Sequence, residues 1–333
     1  MTAGVTVPGT EPSTRPRGRT RGGQFAEEYR VEIAMFGVLA LLCASLSLFA
    51  NNFATEGNIR NVVWQVTAIG IIAIGQTLVI LTAGIDLSVG GIAALSAMVG
   101  GKVMQSTDVG TGLLVTLLVA TALGLINGLF IAYGKLAAFI VTLGMLSIAT
   151  SLTYVISDQN SITGLPKSYR QLGRGEFGSL QYYIFIFAAL YVLGHILLTR
   201  TKPGRFFYAI GSNEEAARLS GVNVRLYKTL PYAITGLLCG ISTIILSGRL
   251  GVIDPDSGQD FNIQTIAAVV IGGTSLFGGK GSLIGTLIGV FLIGVLNNGL
   301  NLLHVSPFWQ GSAVGGVIIV SVLLERLFRR RGA

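Results

Sequence analysis

The chain has 333 residues, of which 51% are hydrophobic and only 11% are charged, and its formal net charge is +8. Soluble domains carry about 25% charged residues, so this composition excludes an ordinary soluble protein and indicates a membrane protein. The positive charge does not favour a nucleic-acid-binding protein, because the basic residues lie in an N-terminal arm and at the ends of apolar stretches, as orientation signals do.

The N-terminal arm is rich in Gly, Pro, Thr and Arg. Such a composition cannot bury enough apolar surface to fold, so we predict that residues 1–30 form a disordered basic arm on the cytoplasmic side. A solvated tail without a partner is the favoured interpretation. The first apolar run starts near Val31, behind this long polar arm, so no cleavable signal peptide is expected.

Ten apolar stretches follow, and a helix of about 20 residues crosses a hydrocarbon core of ~30 Å. The third and the eighth are the least typical, because they are Gly/Ser-rich or short. We predict an all-α polytopic membrane protein with about ten transmembrane helices in one domain over residues 31–328, followed by a cytoplasmic tail at 329–333. The stretches lie near Val31–Ala50, Ile59–Ala83, Leu87–Gln105, Gly112–Tyr133, Leu136–Ser157, Tyr182–Thr199, Leu226–Leu250, Ile263–Phe277, Leu283–Leu303 and Gln310–Phe328.

Basic residues in the connections predict the orientation. With ten spans, Lys135, the segment Arg200–Lys228 and Lys280 fall on the same side as the N-terminal arm. An excess of Lys and Arg marks the cytoplasmic side, so both termini are expected there. The connection Asp158–Leu180 is the exception, since it carries three basic residues on the other side. An ordinary solvated connection is favoured for it over a docking surface for an external partner.

A helix break with one acidic residue divides the second and third spans. Ala83-Gly84 interrupts the apolar pattern, and Asp86 follows at once. A carboxylate between two membrane-length runs is a candidate functional residue because it is costly to bury. Capping of the third helix by Asp86 or Ser88, near the cytoplasmic face, is favoured over gating or assembly, and direct substrate contact is least favoured.

A weak internal echo indicates that the chain arose by duplication, although chance similarity between glycine-rich segments is an equal alternative. In the second copy Thr274 stands where the first has Asp86. The echo matches Gln76-Thr77, Gly84 and Gly90-Gly91 with Gln264-Thr265, Gly272 and Gly278-Gly279 at the same spacing.

The longest polar connection contains a short capped helix. Ser212 or Asn213 can serve as its N-cap, Glu214 and Glu215 stand in the first turn, where the helix dipole favours acids, and Gly221 is a stop signal. The segment is either a solvated surface helix or a docking helix for a cytoplasmic motor.

Three segments resemble hallmark stretches of the bacterial ABC-transporter permeases for ribose, xylose, arabinose, galactosides and autoinducer-2. They are ILTAGIDLSVGG (Ile80–Gly91), GSNEEAARLSG (Gly211–Gly221) and IAAVVIGGTSLFGGKGSLIG (Ile266–Gly285), and the resemblance covers residues 31 to 328. It implies a second permease subunit, most simply in a homodimer, a cytoplasmic ABC ATPase and an extracytoplasmic sugar-binding protein. It further implies an ATPase-coupling helix made by Ser212, Asn213, Glu214, Glu215, Ala216, Ala217, Arg218 and Gly221, and a signature made by Gly84, Asp86, Ser88 and Gly90.

The chain carries no nucleotide-binding pattern of its own. The segment Gly272–Ser282 is rich in glycine, but Gly281 follows Lys280 where a phosphate-binding loop needs Ser or Thr. We therefore expect ATP and Mg to bind a separate ATPase, and no cofactor on this chain. No catalytic constellation or metal-ligand spacing is evident, so the chain is predicted to be a transport subunit rather than an enzyme.

Polar residues inside the apolar spans are candidates for the translocation pathway, because sugars need amide, hydroxyl and aromatic partners. For any single one of them an interhelical hydrogen bond is the favoured interpretation. The candidates are Gln65, Gln76, Asn127, Asn297, Asn298 and Asn301, with Trp64, Phe139, Tyr154 and Phe291 as aromatic partners.

The sequence thus predicts the permease subunit of an ATP-driven importer for a monosaccharide or related polyol in the bacterial inner membrane. One alternative is the same kind of importer for another small solute, such as a nucleoside, autoinducer-2 or a branched-chain amino acid. The other is an ion-coupled secondary transporter, for which Asp86 alone offers little support.

Overall fold

The structure is a computed structural model that describes residues 30–178, 180–306, 309–316 and 319. The predicted basic arm, apart from Arg30, and the predicted C-terminal tail lie outside the described residues. So does most of the tenth predicted span, of which residues 309–316 are helical.

Helices form most of the described chain, and the bounds of the long ones follow the predicted spans closely. They are α1 (Arg30–Phe49), α2 (Glu56–Leu81), α3 (Val89–Ser106), α4 (Val109–Ala132), α5 (Ala138–Ser157), α6 (Lys167–Arg174), α7 (Tyr182–Arg200), α8 (Lys202–Ser212), α9 (Glu214–Leu219), α10 (Val224–Leu250), α11 (Phe261–Ile271) and α12 (Leu283–Leu302).

Seven of these helices, α1, α2, α4, α5, α7, α10 and α12, are long and apolar enough to cross a membrane. The chain is therefore a helical, polytopic membrane protein, whereas the count of ten transmembrane helices stays a prediction. α3 carries four glycines together with Lys102 and Gln105 and is not among the seven, and α11 has only 11 residues.

Short polar side chains set where several helices begin. Thr55 accepts a hydrogen bond from the Asn58 amide, so α2 starts at Glu56, three residues before the predicted span. Asp108 caps α4 through the Thr111 amide at 3.1 Å, and Ser282 caps α12 through the Gly285 amide at 3.0 Å. Each cap satisfies an amide that has no partner within the helix.

The eighth predicted span is shorter than expected. We predicted a helix to Phe277, but α11 ends at Ile271 because Gly273 takes a left-handed conformation with φ +89°. The Thr274 amide then donates to the Val269 carbonyl at 3.1 Å and closes the helix end.

The connection between α5 and α7 is more ordered than a solvated loop. It contains α6 and a hairpin of two short antiparallel strands, β1 (Glu176–Phe177) and β2 (Leu180–Gln181), in which Glu176 pairs with Gln181. One face of α6 packs on α10, where the Tyr169 and Ser247 hydroxyls are hydrogen-bonded at 2.7 Å.

The helices connect two ends of a bundle, which we call the α9 end and the α6 end. At the α9 end, Ser282 before α12 donates to the Glu32 carboxylate of α1 at 2.8 Å. At the α6 end, Arg249 at the end of α10 donates to Asn61 of α2 at 3.3 Å and lies over the Trp64 ring at 4.9 Å. α1, α5, α10 and α12 therefore start at the α9 end, whereas α2, α4 and α7 end there.

Close helix contacts explain part of the high glycine content. α2 and α10 lie at the centre, and a Cβ on Gly75 of α2 would stand 2.7 Å from the Cα of Thr235 in α10. A Cβ on Gly124 of α4 would collide with the Tyr232 carbonyl oxygen and stand 3.0 Å from the Cα of Gly236. Such small-residue contacts let membrane helices approach closely enough to pack without a hydrophobic driving force.

A reciprocal amide pair fastens α12 to α2. The side chains of Asn58 and Asn298 are buried and donate to each other at 3.0 and 2.8 Å. Two amides that satisfy each other inside an apolar environment avoid the cost of an unpaired polar group.

We expect Asn298→Leu to destabilise the protein by about 1–3 kcal/mol, because it leaves the buried Asn58 amide with fewer partners. The double variant Asn58→Leu/Asn298→Leu should recover part of that loss, since no orphaned amide remains. Thermal unfolding in detergent, followed by size-exclusion chromatography, measures both. Simple additivity of the two single losses would show that the pair does not act as a unit.

Candidate functional site

The break between α2 and α3 has the geometry of a closed helix end followed by extended chain. Ala83 is left-handed with φ +58°, and the Gly84 amide donates to the Val79 carbonyl at 3.1 Å. Gly84 has no room for a side chain, because a Cβ would collide with the Tyr232 hydroxyl. The break predicted from Ala83-Gly84 therefore lies against α10.

Asp86 lies in the extended segment and is fully buried. Its Oδ1 accepts hydrogen bonds from the Ser88 amide at 2.8 Å and the Ser88 hydroxyl at 2.5 Å. Ser88 is the N-cap residue of α3 but makes no side-chain capping bond. The Asn127 amide of α4 donates to the Ser88 hydroxyl at 2.8 Å, so the carboxylate is joined to α4 through Ser88. No described residue donates to Asp86 Oδ2.

This network lies close to the α9 end of the bundle. Asn127 stands more than one helical turn before the end of α4 at Ala132, and the Thr142 hydroxyl in the second turn of α5 donates to the Ile85 carbonyl at 3.4 Å. Asp86 is therefore buried between the helices about one turn inside the α9 end of the bundle.

We expect Asp86→Ala to lower stability by about 2–3 kcal/mol, since the buried amide and hydroxyl of Ser88 both lose their acceptor. Asp86→Asn should cost less than about 1 kcal/mol, because its amide oxygen still accepts both hydrogen bonds. Melting temperature and yield of the two purified variants test this. Equal losses in both would mean that the negative charge, rather than the acceptor geometry, stabilises the break.

The predicted coupling segment forms two helices instead of one. Ser212 is the last residue of α8, so it does not cap the following helix. Asn213 is the N-cap of α9 and accepts from the Ala216 amide at 2.9 Å. Gly221 follows the end of α9 with φ +84°, as its role as a stop signal requires.

α9 presents a charged and partly apolar surface. Glu214 pairs with Lys228 of α10 at 2.8 Å, and Glu215 pairs with Arg218. The hydrogen bond from Arg218 to Glu215 raises the pKa of the guanidinium above its ordinary value. Of the two alanines, Ala217 is buried and Ala216 is exposed. The Leu219 side chain is 79% exposed, which leaves an apolar group on the surface of this helix.

A cleft of about 610 Å³ separates α9 from the helix break. Ala83 and Gly84 line one wall, and Glu214 and Arg218 line the other. Lys135, between α4 and α5, also faces the cleft. The coupling helix and the signature at the break therefore share one cavity at the α9 end.

Three segments of the chain are in direct backbone contact beside this cleft. The Gly279 amide, from the loop between α11 and α12, donates to the Leu81 carbonyl at the end of α2 at 3.0 Å. A Cβ on Gly211 of α8 would collide with both that carbonyl and that amide. The Tyr208 hydroxyl of α8 donates to the Gly281 carbonyl at 2.9 Å. We call this contact of Leu81, Gly211 and Gly279 the glycine junction.

Sequence reasoning did not find the glycine junction. Its three parts fall in the three segments that carry the family resemblance, which is the signal that could have indicated it. The pattern shows only that glycines are present, whereas their meeting depends on how distant segments fold.

The predicted pathway residues do not form one site. Asn127 bonds to Ser88 and Asn298 to Asn58 in separate parts of the bundle. Asn301 is exposed and accepts from Gln310 at 2.7 Å. Gln65 is half-buried, while Gln76 and Asn297 are buried; no described residue bonds to the Gln76 amide or to Asn297 Oδ1.

The internal echo has a structural counterpart in a different register. Both α2 and α11 end with a left-handed residue, Ala83 and Gly273, and in both the next amide donates to the carbonyl five residues earlier. These ends are 190 residues apart, counted from 273 minus 83, whereas the echo pairs Gly84 with Gly272 at a spacing of 188. Gly84 therefore corresponds to Thr274 in geometry.

Comparisons with known proteins agree with this architecture. Residues 58–323 match the family model described as the permease component of branched-chain amino acid transport systems. The chain is 44% identical over 291 residues to the ribose import permease protein of Bacillus subtilis, covering 86% of this chain and 90% of that protein. It is 36% identical to the D-allose transport system permease protein of Escherichia coli, covering 89% and 91%. It is 37% identical to the fructose import permease protein of Rhizobium meliloti, covering 89% and 85%.

Proposed function

The chain belongs to the family of branched-chain amino acid transport system permease components, and on that premise we propose that it is the permease subunit of an ATP-driven importer of a monosaccharide or related polyol. The observation that supports a sugar as the substrate is the 44% identity to a ribose permease. The allose and fructose permeases are 36% and 37% identical to the chain. An amino acid is the less favoured substrate, because these relatives carry sugar names.

We propose ten crossings of a bacterial inner membrane with both termini in the cytoplasm. The directions of the long helices support this count, because α2 and α4 run the same way with α3 between them in the chain, and α10 and α12 run the same way with α11 between them. A return crossing by α3 and by α11 accounts for each pair. The α9 end carries Lys135, Arg200 and Lys280, and an excess of basic residues marks the cytoplasmic side.

The ATPase subunit is proposed to dock at α9. The exposed Leu219 and the paired charges of Glu214 and Glu215 suit a partner cleft that is apolar at its centre and polar at its rim. ATP and Mg would bind that ATPase alone, so this chain acts without a cofactor of its own.

The sugar-binding protein is proposed to dock at the α6 end, on a homodimer of this chain. The two connections there are joined, since Ile162 and Ile253 exchange backbone hydrogen bonds at 2.8 and 3.0 Å. Ser161 also donates to the Asp254 carboxylate at 2.6 Å. Lys167 and Arg170 of α6 are exposed beside this joint, so one rigid platform offers basic side chains to a partner.

Reconstitution tests the proposal. The chain, its ATPase and its binding protein are assembled in proteoliposomes, and ATP hydrolysis and uptake are measured with ribose, allose, fructose and leucine. We expect one sugar-loaded binding protein to stimulate both. Stimulation by leucine alone would assign an amino acid importer, and uptake that persists without the ATPase would favour an ion-coupled transporter.

A further inference from the structure

We propose that the segment from Asp256 to Asp260, together with Tyr154 of α5, lines the water-filled sugar pathway from the α6 end into the membrane core. This inference rests on the proposed function for the identity of the solute. It replaces the dispersed pathway candidates that the sequence suggested with residues that lie together on one exposed face.

The segment descends from the α6 end into the bundle. Its start is fixed at the surface, because Ile253 pairs with Ile162. Its end is deep, because Phe261, the first residue of α11, packs against a buried cluster that includes Val89 and Met145, and Met145 lies near the middle of α5. α11 therefore starts inside the membrane region, which also explains why it is only 11 residues long.

The start of α3 lies against this segment. A Cβ on Gly90 would collide with the Gly258 carbonyl oxygen. Two partial helices, α3 and α11, thus begin where non-helical backbone enters the interior. Backbone that is not helical occurs at membrane depth only where it is buried in protein or lines an aqueous cavity.

Asp260 shows that this face meets water. It directly precedes Phe261, it is exposed, and it stands at the N-cap of α11 without forming a side-chain capping bond. Among the described residues, no basic side chain forms an ion pair with the Asp260 carboxylate. A carboxylate in this position would be costly against lipid tails, and such groups face a bundle interior or a water-filled cavity.

Neighbouring polar side chains make the face suitable for a polyhydroxylated solute. The Tyr154 hydroxyl donates to the Asp256 carboxylate, and the Gln259 amide donates to Tyr154 at 2.9 Å and to Asp256 at 2.7 Å. Asp256 and Gln259 are exposed and Tyr154 is half-buried beside them. An aromatic ring with carboxylate and amide groups can stack on a sugar ring and bond its hydroxyls.

Thiol labelling tests water access without any transport assay. In a background with Cys43→Ser and Cys239→Ala, Asp260→Cys is treated in sealed vesicles or proteoliposomes with a charged, membrane-impermeant methanethiosulfonate. The control is Val192→Cys, at a 58% exposed position in the middle of α7. We expect labelling at 260 at least about tenfold faster than at 192, because the reagent reacts with thiolates in water.

Equal rates at 260 and 192 would overturn the proposal. If Asp260→Cys does not accumulate as folded protein, the labelling rate of Gln259→Cys is compared with that of Val192→Cys instead. Because this measurement needs neither the ATPase nor a substrate, it stands or falls separately from the proposed function.

Transport by the full assembly tests sugar contact. We expect Asp260→Asn and Gln259→Ala to lower sugar uptake per ATP hydrolysed about tenfold, with binding-protein-stimulated hydrolysis retained. Asp108→Asn is the matched control, since Asp108 is an exposed helix-capping acid at the α6 end and Asn also caps. If Asp260→Asn and Gln259→Ala took up as much sugar per ATP hydrolysed as Asp108→Asn, the proposed contact between these residues and the sugar would be wrong. A wild-type assembly without sugar-dependent hydrolysis would instead refute the proposed function.

Discussion

Gly211→Ala is expected to lower sugar uptake by at least about tenfold and to destabilise the chain by about 1–3 kcal/mol. The added methyl group has no free space, because it meets the Leu81 carbonyl and the Gly279 amide, both of which are backbone groups. To accept it, α8 must separate from α2 or from the loop before α12. Since α9 follows α8 directly, displacement of the coupling helix could then no longer reach the break at Asp86. Uptake and ATP hydrolysis are compared in proteoliposomes, and stability is measured by melting in detergent.

Gly144→Ala is the matched control for this substitution. Gly144 is also helical, but a Cβ there meets no atom within 4 Å, so the variant should retain wild-type uptake. A second variant, Tyr208→Phe, removes only the hydrogen bond to Gly281 and should reduce uptake about two- to tenfold without loss of protein. If Gly211→Ala transported sugar as well as Gly144→Ala, the glycine junction would have no part in coupling.

The sequence predicts the long helices well because a membrane imposes a simple requirement on them. A span must satisfy its backbone internally and present apolar side chains over a fixed length, and both features are local. The predicted α7 and α12 consequently match the structure to within one residue at each end. The resemblance of three segments to sugar permeases is likewise confirmed by relatives that cover about nine-tenths of the chain.

The site is less predictable because its contacts join residues that are far apart in the chain. The sequence singles out Asp86 as a costly carboxylate, yet its surroundings include Asn127, which lies on another helix and reaches it through Ser88. Gly211 and Gly279 look like ordinary turn or helix-end residues until the fold brings them to Leu81. Asp260 lies between two predicted spans in the sequence, and only the packing of Phe261 shows that this connection enters the bundle.

Charge reversal of α9 is expected to uncouple the importer. In Glu214→Arg/Glu215→Arg, two new cations stand beside Lys228 and Arg218, which have lost their partners. Repulsion displaces α9 from α10, and acids are removed from a helix N-terminus that favours them. We expect sugar uptake to fall by at least about tenfold, since like charges brought together at an interface also weaken ATPase docking. Co-purification with the ATPase, sugar-stimulated hydrolysis and uptake are measured on the same preparation.

Glu56→Arg provides a control with the same kind of substitution at a single acid, so it makes half the charge change of the double variant. Glu56 is an exposed acid in the first turn of α2 that pairs with Arg60 at 2.6 Å, but it lies at the α6 end, away from the proposed ATPase site. This variant should bind the ATPase normally, because only a surface ion pair is lost. The two variants therefore separate a general effect of added positive charge from a specific effect at α9. A charge-reversed α9 that still co-purifies with a fully active, sugar-stimulated ATPase would show that the ATPase docks elsewhere, and the cleft beside Ala83 would then lose its proposed role in coupling.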